Sequence, residues 1–376
     1  PMHLSAGSVL NGHHPYVLGA ALGQGGFGIT YIALDLETHQ RLAIKEYFPT
    51  HCSGRTGNVT VTAYSNQEGV YLKGKERFLD EARTLKSMSD LNSIVNVLDF
   101  FEANNSAYLV MEFLDGSSLK EYAAAHGTFP AQEFLQQINP LMEDIHRMHE
   151  RGVIHRDIAP DNIILLPDGR MKLIDFGAAR SCVGDKSMTV VVKKGFAPVE
   201  QYASRGTSPC TDVYAFAATI YYCITGKVPP DSAERLYNNV PLESPIALGA
   251  DITQEQETAL FKALELQQKA RTQSMREFRE SLEDTDPALE QETAPEKHPK
   301  EEAAVIKTVE RRPVKKNFPA LLVASAVILA LCAGFRCIEK RRWSLPWRWS
   351  QLMAEPAAFL RVGCGAEEET QGSSLV

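Results

Sequence analysis

Short apolar runs separated by glycine dominate the first third of the chain. From about residue 16 to residue 114, β-branched and aromatic residues alternate with polar ones, and the clearest strands are the runs GITYIAL and RLAIKEYF. One helical pattern interrupts them over 76–88, where Phe78, Ala82 and Leu85 fall on one face. This part of the chain therefore predicts a β-sheet accompanied by one helix.

The pattern becomes helical after residue 118. The run EFLQQINPLMEDIHRMHERG has apolar residues at three- and four-residue steps and ends at Gly152, and DVYAFAATIYYCITG is a second helical run. We expect two short strands, GVIH and MKLIDF, between these helices. Strands followed by helices predict an α+β protein with two lobes.

Length and charge limit the function classes. The 376 residues suffice for one two-lobed domain and roughly a hundred residues more. A formal net charge of −8 argues against a nucleic-acid partner, which requires a basic face. The seven cysteines form no CxxC pair and no metal-ligand spacing with histidine, so we expect reduced thiols in a cytosolic domain, with His51 and Cys52 in an exposed loop.

The composition changes at about residue 283. Residues 284–317 are acidic, contain proline and have few large apolar side chains, which predicts a disordered linker. Residues 318–335 carry no charge before Arg336 and predict a transmembrane helix, the alternative being a buried helix of a small C-terminal domain. Residues 336–376 form a tail whose basic and tryptophan residues suit a membrane interface.

Two features of the first lobe suggest phosphate binding. The motif GQGGFG at 23–28 is weak alone, but a strand rather than a helix follows it, which predicts a glycine hairpin; an ordinary structural hairpin remains an alternative at this point. Lys45 ends an apolar strand, so burial of its ammonium group requires nearby anions. Glu81 and the phosphates of a nucleotide are candidates, although Glu81 alone could lie on a solvated helix face.

The segments HRDIAPDN and DFG carry the strongest chemical signal. Asn162 and Asp175 offer hard oxygen ligands for Mg²⁺. Asp157 can orient a substrate hydroxyl and accept its proton. This order of motifs, after the glycine hairpin and the AIK strand, favours phosphoryl transfer.

With these motifs the chain resembles the eukaryotic-like (Hanks-type) serine/threonine protein kinases of bacteria. The resemblance implies a two-lobed protein kinase domain over 16–283, with an N-lobe over about 16–114 and a C-lobe over about 115–283. It also implies ATP with Mg²⁺ (or Mn²⁺ in its place), protein substrates and no nucleic-acid partner.

The resemblance also implies roles for particular residues. Lys45 would bind the α- and β-phosphates and pair with Glu81, Asp157 would be the catalytic base, and Asn162 and Asp175 would ligate the metal. The residues expected to contact the nucleotide, besides Lys45, are Leu22, Gly23, Gly25, Gly28, Thr30, Ala43, Met111, Glu112, Leu114 and Ile164. Outside the nucleotide site, Glu200 is expected to pair with Arg271, and Asp212 to brace the catalytic loop.

The chain departs from the family pattern at two positions near the catalytic aspartate. Ala159 replaces a lysine that serine/threonine kinases usually have, and Lys193 stands where they commonly have threonine. We hypothesise that Lys193 restores the missing charge; the alternative is a solvated lysine that recruits acidic substrates. Tyrosine kinases also have alanine at the position of Ala159, but they follow it with an arginine where this chain has Asp161. Serine/threonine specificity therefore remains favoured.

Further expectations concern regulation and location. We expect autophosphorylation, with homodimers as one route to it, and a phosphate on Ser181, Ser187 or, as the favoured site, Thr189. A need for ATP places the kinase domain in the cytoplasm, as a single-pass protein of the cell membrane. The alternatives are a pseudokinase that scaffolds a partner and a small-molecule phosphotransferase.

Overall fold

An antiparallel six-stranded sheet forms the first part of the chain in the computed structural model, which describes residues 2–176, 192–202 and 206–283. Its strands are β1 (Val9–Asn11), β2 (Pro15–Gln24), β3 (Gly28–Asp35), β4 (Arg41–Tyr47), β7 (Val97–Ala103) and β8 (Ser106–Glu112). They pair in the order β1-β2-β3-β4-β8-β7. The two clearest predicted strands are β3 and β4, and the glycine motif is the hairpin between β2 and β3, as predicted.

A single long helix packs on this sheet. Helix α1 (Glu68–Lys86) buries the predicted face of Phe78, Ala82 and Leu85, but it begins eight residues before the predicted start. The extra turns contain two glycines, which weaken the helical signal of the sequence. Tertiary packing stabilises them, because Tyr71 is buried there and a Cβ on Gly74 would lie 2.1 Å from the hydroxyl of Tyr47.

Most of the regular secondary structure in the remaining described residues is helical. The elements are β9 (Ser117–Ser118), α2 (Leu119–His126), α3 (Ala131–Glu150), β10 (Ile163–Leu165), β11 (Met171–Leu173), α4 (Val199–Tyr202), α5 (Pro209–Thr225), α6 (Ser232–Asn238), α7 (Gln254–Ala263) and α8 (Met275–Leu282). Helix α5 is apolar on all sides and almost wholly buried, so it forms the centre of this part. Helices α3, α7 and α8 pack around it, which confirms a sheet-rich lobe followed by a helical lobe.

The predicted strand GVIH is wrong. Residues 152–155 contain no strand: the amide of Val153 donates to the Met148 carbonyl and closes the end of α3. The next backbone amides, of His155 and Arg156, donate to a carboxylate instead of a neighbouring strand. Apolar side chains suggested a strand, but a side-chain acceptor satisfies the backbone.

A small hairpin after β4 was not predicted. Strands β5 (Ser53–Thr56) and β6 (Thr60–Ala63) are joined by a turn in which Gly57 and Asn58 have positive φ angles of 59° and 65°. This Gly-Asn pair was the available turn signal. The exposed position expected for Cys52 is also wrong, because the hairpin packs back on the sheet and buries that side chain completely.

The C-terminal predictions fall outside the described residues. These are the linker over 284–317, the membrane helix over 318–335 and the tail over 336–376. Within the part of the chain that the structure describes, no helix is both long and apolar enough to cross a membrane.

Candidate active site

The glycine hairpin combines one crowded glycine with two open ones. A Cβ on Gly28 would lie 2.6 Å from the carbonyl oxygen of Glu46, so β3 and β4 approach too closely there for any side chain. A Cβ on Gly23 or Gly25 would meet no other described atom within 4 Å. Gly28 is therefore required by the sheet, while Gly23 and Gly25 leave open space beside the hairpin, where phosphates are expected.

The tip of this hairpin is fastened to the segment after β4. The Phe48 amide donates to the Phe27 carbonyl at 3.0 Å, and the Thr50 amide donates to the Gly26 carbonyl at 3.3 Å. The ring of Phe27 also meets the ring of His51 edge-on, with 5.5 Å between centroids. The hairpin expected to cover phosphates is thus held at its tip.

A buried polar network supports that segment. Arg55 on β5 donates to both oxygens of Glu46, at 3.0 and 2.6 Å, and its guanidinium lies 4.8 Å from the centre of the Phe48 ring. Tyr31 and Tyr108 donate their hydroxyls to the same carboxylate at 3.1 and 3.0 Å. Glu46 is completely buried and therefore needs these donors. This network was not predicted from the sequence, because its four members lie on four different strands.

Lys45 lies on β4 opposite Thr30 and faces the carboxylate of Asp175, with 2.7 Å between Nζ and Oδ1. Burial alone would lower the pKa of Lys45, but the charges of Asp175 and Glu81 outweigh it and raise the pKa above its usual value. The pKa of Asp175 is lowered: burial opposes ionisation, but the Lys45 charge overcomes this effect. Lys45 and Asp175 therefore remain charged around neutral pH.

The catalytic loop is held by one buried carboxylate. Asp212 on α5 accepts the His155 amide at 2.7 Å, the Arg156 amide at 2.8 Å and the His149 ring nitrogen at 2.9 Å. Arg156 has a φ of 65°, an uncommon conformation for a residue with a side chain. These bonds offset the cost of that conformation, and they confirm that Asp212 braces the loop.

The ring of His155 links the loop to the segment after β11. Its Nδ1 accepts the Asp157 amide at 3.2 Å, and its Nε2 lies 3.2 Å from the Ile174 carbonyl. The ring centroid is 4.4 Å from that of Phe176. Burial lowers the pKa of His155, so the ring is neutral, with the proton on Nε2.

Asp157 and Asn162 form the centre of the loop. Asn162 donates through Nδ2 to both the carbonyl oxygen and Oδ2 of Asp157, each at 2.8 Å. Both side chains are largely buried, which fixes the direction of the Asp157 carboxylate. The Oδ1 atom of Asn162 is then the oxygen available to a cation.

The strand pairing brings Asn162 and Asp175 to one place. Ile163 pairs with Leu173 in the β10–β11 hairpin, and the Ile174 amide donates to the Asn162 carbonyl at 2.9 Å. Asp175 follows with a positive φ of 55° and a side chain that is 41% exposed. An amide oxygen and a carboxylate at one edge fit Mg²⁺, which takes its remaining ligands from phosphates and water.

The described residues contain no group of three or more His, Cys, Asp and Glu side chains that could enclose a metal by themselves. A divalent cation at Asn162 and Asp175 would therefore need oxygen ligands from a bound nucleotide or water.

Three of the residues expected to contact the base of the nucleotide lie on three different strands. Ala43 on β4 pairs in register with Met111 on β8, and Ile164 lies on β10. Glu112 ends β8, and its carboxylate binds the Lys172 ammonium and accepts the Asn96 amide at 2.8 Å. Since its side chain is engaged there, Glu112 would offer a base only its backbone. Leu114 is half-buried, and Leu22, at the glycine hairpin, is 44% exposed.

A buried ion pair connects two distant parts of the helical lobe. Arg271 donates to both oxygens of Glu200, at 2.7 and 3.2 Å, and to the Cys210 carbonyl at 3.0 Å. Thr211 donates to Glu200 at 3.1 Å. The predicted pairing of Glu200 with Arg271 is confirmed, and it fixes the end of the segment that follows Asp175.

Lys193 lies beside the catalytic loop. Its Nζ is 2.8 Å from Oδ1 of Asp161 and 3.5 Å from Oδ2 of Asp157, whereas Lys194 is exposed. Lys193 was a candidate from the sequence for the charge missing at Ala159, but its contact with Asp161 was not predicted. Gly177 and the candidate phosphosites Ser181, Ser187 and Thr189 lie outside the described residues.

Comparisons with known proteins agree with this geometry. A family model for the protein kinase domain matches residues 16–287. Serine/threonine-protein kinase F of Synechocystis sp. is 31% identical over 242 residues, which cover 60% of this chain and 46% of that protein. Serine/threonine-protein kinase PknA of Nostoc sp. is 30% identical over 249 residues, which cover 61% and 42%. The chain thus spans less than half the length of these two relatives.

A solved structure is similar to this chain over the whole of its own length. The apo form of PpkA-294 superposes with a TM-score of 0.67 at 32% identity, and the match covers 75% of this chain and all of that one. The family model alone covers well over half of the 376 residues. The chain therefore belongs to the protein kinase domain family.

Proposed function

We propose that the chain is an ATP-dependent serine/threonine protein kinase. The observation that carries this proposal is the convergence of Lys45, Asp157, Asn162 and Asp175 in one place, where each has a defined partner. Transfer of a phosphoryl group requires little covalent chemistry from the protein, so positioning and charge stabilisation dominate. The four side chains supply both.

The roles follow from charge and position. The Asp157 carboxylate, oriented by Asn162, would hold the substrate hydroxyl and receive its proton. The Lys45 ammonium would bind phosphate oxygens beneath the glycine hairpin. A magnesium ion held by Asn162 and Asp175 would neutralise charge on the transferred group.

Two alternatives predict other outcomes. A pseudokinase scaffold would lack transfer, but the polar catalytic set is complete. A small-molecule phosphotransferase would not need the segment that ends at the Glu200–Arg271 pair. The presence of this segment favours a protein substrate, because small-molecule phosphotransferases usually lack it.

The test is incubation of the purified chain with labelled ATP, Mg²⁺ and a generic basic protein, followed by phosphoamino-acid analysis. We expect phosphoserine or phosphothreonine on the basic protein and on the chain itself, and loss of label with excess EDTA. Label on phosphotyrosine would contradict the specificity. Transfer only to small alcohols would favour the small-molecule enzyme, and nucleotide binding without transfer would favour the scaffold.

The proposal extends to membrane anchoring through residues 318–335, with the kinase domain in the cytoplasm. The support is the uncharged run itself, flanked by basic residues on both sides. We expect the full chain to resist carbonate extraction and a chain ending near Glu310 to be soluble. Release of the full chain by carbonate would contradict anchoring.

A further inference from the structure

The turn that carries Lys193 is fixed against the helical lobe. The Lys193 carbonyl accepts the amides of Phe196 and Ala197, each at 3.0 Å. Gly195 has a φ of 83°, and a Cβ there would lie 2.6 Å from the Pro229 carbonyl oxygen. The Ser232 hydroxyl donates to the Ala197 carbonyl at 2.7 Å. The backbone of Lys193 is therefore held in place rather than free in solution.

The side chain of Lys193 reaches into the catalytic loop from this turn. Its ammonium group lies between two carboxylates, with Asp161 at 2.8 Å and Asp157 at 3.5 Å, and the side chain is 21% exposed. The shorter contact is with Asp161, so that residue is the anchor. The longer contact leaves the ammonium beside the Asp157 carboxylate and partly exposed.

Ala159 occupies the loop position between these two carboxylates. Its side chain is completely buried and its backbone is extended, with φ −166° and ψ 164°. A methyl group provides no charge, so the loop itself places no cation at this point. The ammonium of Lys193 supplies a positive charge from another segment.

We propose that Lys193 is a catalytic residue and that Asp161 is the positioning residue that holds it. This rests on the proposed kinase function. In the step, the substrate hydroxyl oxygen bonds to the γ-phosphorus while the bond from that phosphorus to the β–γ bridging oxygen breaks. The hydroxyl proton passes to Asp157, and ADP leaves. The Lys193 ammonium stabilises negative charge on the transferred phosphoryl oxygens, as preorganised donors do.

The arrangement makes the site complete only when the 193–197 turn is docked. The lysine comes from the segment that follows Asp175, whereas the base comes from the catalytic loop. Displacement of the turn would remove the ammonium without altering Asp157 or Asn162.

The experiment measures kcat and KM for a protein substrate in Lys193→Ala, Lys193→Arg, Asp161→Asn and the double variant Lys193→Ala with Ala159→Lys. We expect Lys193→Ala to lower kcat at least tenfold with KM for the protein within threefold. Lys193→Arg should retain a large part of the wild-type kcat, and the double variant should regain a large part of the kcat lost in Lys193→Ala. Asp161→Asn should lower kcat less than Lys193→Ala does. Lys194→Ala, which removes the exposed neighbouring lysine, is the matched control and should match wild type.

Chemical rescue separates a lost charge from a disturbed fold. Small alkylamines should raise kcat of Lys193→Ala and leave Lys194→Ala unchanged, and both variants should keep the wild-type melting temperature. A raised KM with unchanged kcat would show a recruiting lysine and overturn the proposal, as would a raised kcat, which would show an inhibitory contact. Loss of kcat that neither alkylamines nor Ala159→Lys restores would also overturn it. Absence of transfer in wild type would instead refute the kinase proposal.

Discussion

Lys45 and Asp175 lie 130 residues apart in sequence, yet their side chains meet at 2.7 Å. The contact joins strand β4 of the sheet to the irregular segment after β11, in which Asp175 lies. Each charge stabilises the ionised form of the other. The pair therefore presents a cation for phosphates and an anion for a metal at one place.

Removal of either charge should abolish most phosphate transfer. We expect Lys45→Met and Asp175→Asn each to lower the rate by about 100-fold or more, the scale of losing one charged donor or ligand. Asparagine is the better replacement at Asp175 because it tolerates the positive φ of 55°. The rate is measured with labelled ATP, and circular dichroism checks the fold. Wild-type transfer by either variant would contradict the assignment.

The glycines of the hairpin should separate stability from nucleotide binding. Gly28→Ala should lower the melting temperature, because its Cβ would meet the Glu46 carbonyl at 2.6 Å. Gly23→Ala and Gly25→Ala should keep the melting temperature and raise KM for ATP, because only a bound nucleotide would contact the new methyl groups. Thermal unfolding and ATP kinetics give the two readouts. A stable Gly28→Ala protein would show that the strand approach is looser than described.

The Glu200–Arg271 pair should contribute strongly to stability. Arg271→Met leaves Glu200 buried without its cation, and breaking such a pair costs about 3–5 kcal/mol of unfolding free energy. The matched control is Lys262→Met, which removes the exposed partner of Glu277 and should cost no more than about 1 kcal/mol. Urea denaturation measures both. Equal losses in the two variants would contradict the distinction.

His155 and His14 should make the free energy of unfolding depend on pH in opposite directions. Burial lowers the pKa of His155, so below pH 6.5 the unfolded chain binds a proton that the folded chain does not, and the stability supplied by the neutral ring is lost as pH falls. A hydrogen bond to Asp35 raises the pKa of His14, so its contribution is present below pH 6.5 and is lost as pH rises through the raised value.

Urea denaturation between pH 5 and 8 checks this prediction. The stability difference between wild type and His155→Phe should shrink as pH falls, and that between wild type and His14→Phe should grow. Parallel curves for the two variants would contradict the opposite signs.

The sequence predicted those parts of the site that use local motifs. The β2–β3 hairpin, β4, α5 and the loop from His155 to Asn162 follow from glycine spacing, apolar periodicity and polar motifs. Contacts between distant segments were accessible only through resemblance, as for Glu200 with Arg271. No local pattern indicates that Glu46 and Arg55 form a buried pair, since each alone resembles a solvated residue.

The predicted strand at GVIH failed for a related reason. Apolar residues indicate which side chains are buried but not what satisfies the backbone. At His155 and Arg156 the acceptor is the carboxylate of Asp212, which lies more than fifty residues later in the chain. A pattern limited to neighbouring residues cannot contain that information.

The central claim is tested most directly by Asp157→Asn, which keeps the shape of the side chain and removes its capacity to accept a proton. The measurement is transfer of label from ATP to serine or threonine of a protein, with nucleotide affinity determined in parallel. We predict robust transfer by wild type and a loss of about 10²- to 10⁴-fold in the variant, with nucleotide affinity unchanged. Equal transfer by the variant, or nucleotide binding without transfer by wild type, would contradict the account.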